Sequence, residues 1–390
     1  MKFIPYSCQD INDDDIEAVV SVLKSDFLTQ GPAIDDFEEH LASYCNANNA
    51  IAVSNATAGL YLVYRALGLQ PGERLWTVPN SFVATANAAA LIGANLDFVD
   101  IDPRTMNIDC KKLAAKFSAA MTDGTLPKIL TVVHFAGAPC AMKEISDLCK
   151  KYGVELVEDA AHALGAHADA QMVGSCSYSR AAIFSFHAVK MITCGEGGAV
   201  VTNDNELSEK IRLLATHGVT RDKDRFVNTK YADYGWYYEQ QDLSLNFRLT
   251  DIQAALAASQ LKRLNQFVQT RNHWANKYIK ALAEMPVGFQ QVLPEATSSY
   301  HLFVCLLSSF EERNFVFEYM RERGIGVNLH YMPITMQPYY QSEFSDTSAF
   351  PGAFKHVESA LSLPLNTKLD DGDFDRVINV FFEGFRAYAG

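Results

Sequence analysis

The chain lacks the features that would point to several large classes of protein. No apolar run in its 390 residues approaches the roughly 18 needed to cross a bilayer, so no membrane partner is expected. There is no basic excess. Against 46 acids stand 33 lysines and arginines, a net charge of −13, which disfavours nucleic acid or an anionic surface as the main partner. The eight cysteines form no CxxC pair and no Cys/His ligand spacing, and the ten histidines include no HExxH, so no metal is expected. Scattered cysteines of this kind behave as small buried hydrophobes in a reducing compartment. The opening MKFIPYSCQDINDDD turns acidic where a secretory leader would turn hydrophobic, and the expected location is cytoplasmic. Short-period repeats and low-complexity stretches are missing too.

What is present is an ordinary globular mix, 48% apolar and 20% charged. Residues 13–25 place Ile16, Val19, Val20 and Leu23 on one helical face, and Ile34, Phe37 and Leu41 mark a second helix. Short apolar strands follow at 50–53, 75–78, 96–99, 129–133, 154–157, 181–184 and 199–202, mostly separated by helical patterns. Continuous apolar strands interleaved with helices predict an α/β fold with a mainly parallel sheet covered on both faces. Residues 218–245 are polar and rich in Tyr, Asp and Lys, which reads as an excursion over the surface. A long helix is predicted from 250 through 282, then a strand at 302–307, a helix at 310–323 and a short strand before His330. The division expected is a large domain over residues 1–250 and a smaller α+β domain over 251–390.

In such sheets ligands bind beyond the carboxyl ends of the strands, so the residues after each strand come first. Ser54-Asn55-Ala56-Thr57-Ala58 opens a helix and can cradle an anion with free N–H groups and the Thr57 hydroxyl, although capping alone would explain it. Glu158-Asp159, followed by Ala160-Ala161-His162-Ala163-Leu164-Gly165, suits a carboxylate aimed at a cationic ligand atom; a cap and a satisfied histidine explain it equally. Lys190 leaves a buried strand among apolar and small residues, where desolvation would lower its pKa and make it a nucleophile. An isolated lysine, however, is more often a snorkelling surface residue. The glycines after it miss GxGxxG, since Val200 occupies the last position, which disfavours a dinucleotide. Together these signals match pyridoxal phosphate, which needs a lysine for its aldehyde, a carboxylate for its ring nitrogen and a cradle for its phosphate. Ser185 offers another hydroxyl to the phosphate, and Phe82, after another strand, can stack on the ring or simply pack in the core.

As a set, Thr29-Gln30-Gly31-Pro32, SNATA at 54–58, VEDAAHALG at 157–165, SFHAVK at 185–190 with GEGG at 195–198, and NFRLTDIQAA at 246–255 resemble the DegT family of nucleotide-sugar aminotransferases. PYS at 5–7, NSFVATANAA at 80–89 and GIGVNLHYMPI at 324–334 resemble most the branch acting in pseudaminic acid biosynthesis. The resemblance implies a fold-type I, pyridoxal-phosphate-dependent transaminase working as a homodimer with shared active sites. It further implies L-glutamate as amino donor, with pyridoxamine phosphate as the intermediate cofactor form and a UDP-linked 4-keto-6-deoxy sugar as acceptor. In its terms Lys190 would hold the cofactor aldehyde, Asp159 the ring nitrogen and His162 would sit near the phenolic oxygen. Thr57, Ala58 and Ser185 would hold the phosphate, joined by Asn246 from the neighbouring subunit. Tyr6, the segment Asp26, Phe27, Leu28, Thr29, and the loop Leu329, His330, Tyr331, Met332 would line the sugar-nucleotide site. Asp26 and Phe27 depart from the Lys-Gln of the family pattern, and Met332 from a familiar Lys, which leaves the exact sugar open. The family's dehydratases carry histidine in place of Lys190, and neither a DNA-binding module nor a basic patch supports a noncatalytic sensor.

Overall fold

The computed structural model describes residues 2–344 and 346–389. Seven strands form the main sheet: β1 Asn49–Val53, β2 Arg74–Thr77, β3 Asn95–Phe98, β4 Ile129–Val133, β5 Glu155–Asp159, β6 Ala181–Ser185 and β7 Gly198–Thr202. Their spatial order is β1-β7-β6-β5-β4-β2-β3. Only β7 runs against its neighbours β1 and β6; the other adjacent pairs are parallel. Side chains alternate between faces, so each strand feeds two cores. Ile51, Val53, Leu75, Ile129, Val157 and Ile183 pack beneath helices α3 (Ala56–Ala66), α4 (Ala84–Ala90) and α7 (Asn205–Ala215). The intervening residues, among them Trp76, Leu130, Val132 and Leu156, pack against α5 (Cys110–Asp123) and α6 (Met142–Tyr152). Ala50, Ala52 and Phe184 meet α2 (Pro32–Cys45) on that same side. The result is the expected three-layer α/β sandwich.

The expected helix over 250–282 is two helices, α8 (Asp251–Leu261) and α9 (Leu264–Ala281), broken at Lys262–Arg263. α8 packs into the first core through Ala254, Ala257 and Leu261. α9 spans both cores, with Phe267 and Val268 in the first and Trp274 and Tyr278 in the second. That second core lies under a three-stranded antiparallel sheet of β8 (Gly288–Phe289), β9 (Phe303–Leu306) and β10 (Ala360–Leu363). The helices Phe310–Glu322 and Asp371–Ala389 complete it. The strand expected before His330 does not form: Asn328 makes one isolated bridge to Ser362, and β10 takes the third place in the sheet. The start of the chain also packs into this smaller core, because Ile4 bridges Ile325 and is 1% exposed.

The first helix, α1 (Asp13–Leu23), departs most from expectation. Its capping box is formed by Asn12 and Asp15, and its acidic first turn suits the helix dipole. The apolar stripe faces outward instead, with Ile16 54%, Val20 37% and Leu23 54% exposed, while Asp15 is buried against α8.

Candidate active site

The carboxyl ends of β1, β2, β5 and β6 open on one edge of the sheet, and a cavity of about 550 Å³ lies there. Tyr6, Thr57, Phe82, Asp159, His162, Ser185, Lys190, Leu329, His330 and Tyr331, all predicted from sequence, line it. Alternation along β5 separates its two acids. Glu158 turns away, accepting from His134 Nε2 at 2.8 Å and Ser179 Oγ at 2.5 Å. Asp159 faces the cavity and accepts only from Thr85 Oγ1 at 2.7 Å and the Ala161 amide at 3.2 Å, with no ion-pair partner among the described residues. Burial raises its carboxyl pKa, opposed by Thr85, Ala161 and the charge of Lys190.

Lys190 follows β6 in a turn closed by its amide donating to the His187 carbonyl at 2.9 Å. Burial lowers its ammonium to about 8, partly offset by Asp159, so a useful fraction is free amine near neutral pH. Burial and the Lys190 charge likewise depress His162 far below the ordinary histidine value. At the other end of the cavity α3 begins. Asn55 caps it by accepting from the Ala58 amide at 2.9 Å. Ala58, expected to hold phosphate, therefore has its N–H already engaged. The Ala56 and Thr57 amides have no protein acceptor among the described residues and remain free for an anion. Gly198 makes this turn possible, since a Cβ there would meet the Ala56 nitrogen at 2.6 Å. Phe82 is 58% exposed and lies 6.0 Å from the Tyr331 ring, so it is an open wall and not a core residue.

Other expected residues lie elsewhere in this chain. Asp26, Phe27, Leu28 and Thr29 are exposed and run over the start of α8, where the Leu28 carbonyl accepts from the Asp251 amide and Thr29 bridges Thr250. Asn246 is exposed beside the β1 edge, its Oδ1 accepting from the Arg248 amide at 3.1 Å. Met332 is 43% exposed and points outside the cavity lining. Conversely, sequence reasoning missed Asn55 as the specific cap, Ser81, Thr85, His187 and Asn328. Nothing in the sequence marked Thr85, which lies in α4 while Phe82 stands before that helix begins.

The residues present fit pyridoxal phosphate: an under-paired buried carboxylate, a lysine of lowered pKa, two free amides at a helix start and an open aromatic wall. With the three-layer fold they define a fold-type I pyridoxal-phosphate enzyme. The chain belongs to the DegT/DnrJ/EryC1/StrS aminotransferase family, which matches residues 9–382. It is 36% identical over 383 residues to the spore coat polysaccharide biosynthesis protein SpsC of Bacillus subtilis, covering 96% of this chain and 95% of that protein. It is 35% identical over 382 residues to the UDP-4-amino-4,6-dideoxy-N-acetyl-β-L-altrosamine transaminase of Campylobacter jejuni, covering 97% and 96%. The structure of Helicobacter pylori PseC, an aminotransferase involved in the biosynthesis of pseudaminic acid, superposes with a TM-score of 0.89 at 31% identity, covering 99% and 100%. A Streptococcus pneumoniae structure in its pyridoxamine-phosphate form superposes with a TM-score of 0.89 at 27% identity, covering 98% and 99%. The protein is a pyridoxal-phosphate-dependent sugar aminotransferase. Among its described residues, no helix is long and apolar enough to cross a membrane.

Proposed function

We propose that the protein carries an amino group from L-glutamate to C4 of a UDP-linked 4-keto-6-deoxy-N-acetylhexosamine, in pseudaminic acid biosynthesis. We further propose that it works in the cytoplasm as a homodimer whose sites are shared, with Asn246 and the segment Asp26–Thr29 serving the neighbouring subunit's cavity. Their exposure on this chain, away from its own cavity, supports that reading. The eight free cysteines suit a reducing compartment.

The observation that carries the chemistry is Lys190 and Asp159 facing one cavity, the first with a lowered pKa and the second without a cation. When bound, pyridoxal phosphate supplies an aldehyde and a cationic ring that accepts an electron pair. Lys190 would hold that aldehyde through Nζ, and its amine, of lowered pKa, would be the group placed to carry a proton between the donor's Cα and the cofactor. Asp159, oriented by Thr85 and the Ala161 amide, holds a positive charge opposite it as the reaction develops. The Ala56 and Thr57 amides, with the Ser185 hydroxyl, would hold the phosphate, and Phe82 would supply an aromatic wall for the ring.

The identity of the sugar rests on full-length likeness to the Campylobacter transaminase. A different nucleotide-linked ketosugar is the second reading, favoured by the equal likeness to the Bacillus polysaccharide protein. Single-turnover amination by the pyridoxamine-phosphate form, with UDP-, dTDP- and GDP-linked ketosugars offered in parallel, separates them. Rapid conversion of the UDP-4-keto-6-deoxy sugar alone is expected. Preference for a dTDP or GDP sugar overturns the assignment and leaves the aminotransferase chemistry in place.

A further inference from the structure

The turn at 135–137 and the loop at 329–331 meet around His162, and their hydrogen bonds run in one direction. The Ala136 amide donates to His162 Nδ1 at 3.3 Å, so the proton of a neutral imidazole sits on Nε2. Nε2 lies 3.0 Å from the Tyr331 hydroxyl oxygen, which therefore accepts. The hydroxyl's own hydrogen has no protein acceptor among the described residues, and Tyr331 lines the cavity with Lys190 and Phe82. The Tyr331 amide donates to Asn80 Oδ1 at 3.4 Å, and its ring lies 5.9 Å from that of His162 with the planes 25° apart.

His162 is held from behind by the smaller domain. His301, 2% exposed, places its ring 4.5 Å from that of His162. Ser299 Oγ donates to the His162 carbonyl at 2.8 Å. A Cβ on Gly137, which has a φ of +96°, would lie 2.3 Å from that Ser299 oxygen, so the close approach requires glycine.

We propose that Tyr331 is a fixed hydrogen-bond donor to an acceptor oxygen bound beside Lys190, that His162 is the positioning residue setting this direction, and that His301 is the wall keeping His162 in place. The acceptor is an anionic or carbonyl oxygen, supplied either by the cofactor's phenol or by the ketosugar. The proposal rests on the aminotransferase reading. The titratable groups facing Tyr331 are Tyr6, Asp159, His162, Lys190 and His330.

The test uses the cofactor-loaded protein and its Tyr331→Phe variant, which keeps the ring. If the acceptor is the phenolic oxygen, losing the donor makes the imine joining Lys190 to the cofactor harder to deprotonate. Its pH midpoint, read by visible absorbance without turnover, then rises by about one unit, the scale of one hydrogen bond. If the acceptor is the sugar carbonyl, that midpoint stays put and the glutamate half-reaction is unchanged, while the sugar half-reaction slows about tenfold. His162→Leu reproduces whichever change appears, His301→Ala gives a weaker version, and His162→Gln, whose amide still donates, restores the wild-type value. A Tyr331→Phe protein that moves neither readout overturns the proposal, as does a His162→Leu protein that behaves as wild type. Wild-type protein that forms no visible imine would count against the aminotransferase reading itself.

Discussion

Two buried aspartates, at the α1/α8 seam and on the cavity floor, have opposite kinds of surroundings. Asp15 is 0% exposed and accepts from the Asn12 amide, Ser259, Gln260 and Arg263. Asp159 is 6% exposed and has a hydroxyl and an amide but no cation. A buried charge that is fully paired holds elements together, whereas one left short of a partner is poised for a ligand that brings the missing charge. The cations divide in the same way. Arg271 is buried and spends its guanidinium on the carbonyls of Tyr300, His301 and Leu365, joining α9 to the smaller domain, while Lys190 stands in the cavity with its ammonium uncommitted.

Substitution tests the contrast, beginning where the effect is largest. Lys190→Ala is expected to cut transamination on the order of 10⁴-fold or more while pyridoxamine phosphate still binds, measured by single turnover and by cofactor titration. It also removes a pH slope. Lys190 has a folded pKa near 8 against 10.5 ordinarily, so the unfolded chain binds more protons between those values. Cofactor-free wild type should therefore gain stability on Lys190 as pH rises from about 8 to 10.5, and denaturant melts of the alanine variant should lack that gain. Asp159→Asn should lower turnover about 10²–10³-fold without destabilising the cofactor-free protein, since it removes an under-paired charge. The opposite pattern belongs to Asp15→Ala, which should cost about 3 kcal/mol in a denaturant melt and leave kcat per folded molecule unchanged. If Asp15→Ala lost activity without losing stability, the distinction between the two aspartates would fall. Smallest is Thr85→Val, which removes one hydrogen bond to Asp159 and should slow the reaction roughly fivefold at unchanged stability.

How far the sequence could be read follows the same physics. Strand ends were legible because the apolar runs at 50–53, 75–78, 154–157 and 181–184 stop abruptly, and the residues that carry the chemistry begin there. Lys190, Asp159 and Phe82 were therefore found one strand at a time. The outward stripe of α1 was not legible. A 3.6-residue period marks an apolar face without saying what it faces, and the inward face is anchored by Asp15, a residue that patterns read as surface. Nor could spacing reveal that α8 and α9 part at Lys262–Arg263, because both segments are good helix formers. The pairing of His162 with Tyr331 joins residues far apart in the chain, and only the tertiary fold creates it.

The single reversed strand has a consequence for the order in which the molecule can be built. β1 pairs in the sheet only with β7, Asn49 lying opposite Thr202, while on its other edge only its end, Val53, is bridged, by Arg248. A ribosome that has released β1 through β6 has thus produced a strand with no place in the sheet. Gly198 of β7 packs directly against the turn at Asn55 and Ala56, so that turn gains this neighbour only when the chain returns past Lys190 as β7. The turn at Ala56 and Thr57 and Lys190, distant in sequence, come together around β7, so a nascent chain interrupted before β7 should present an exposed β1 to chaperones.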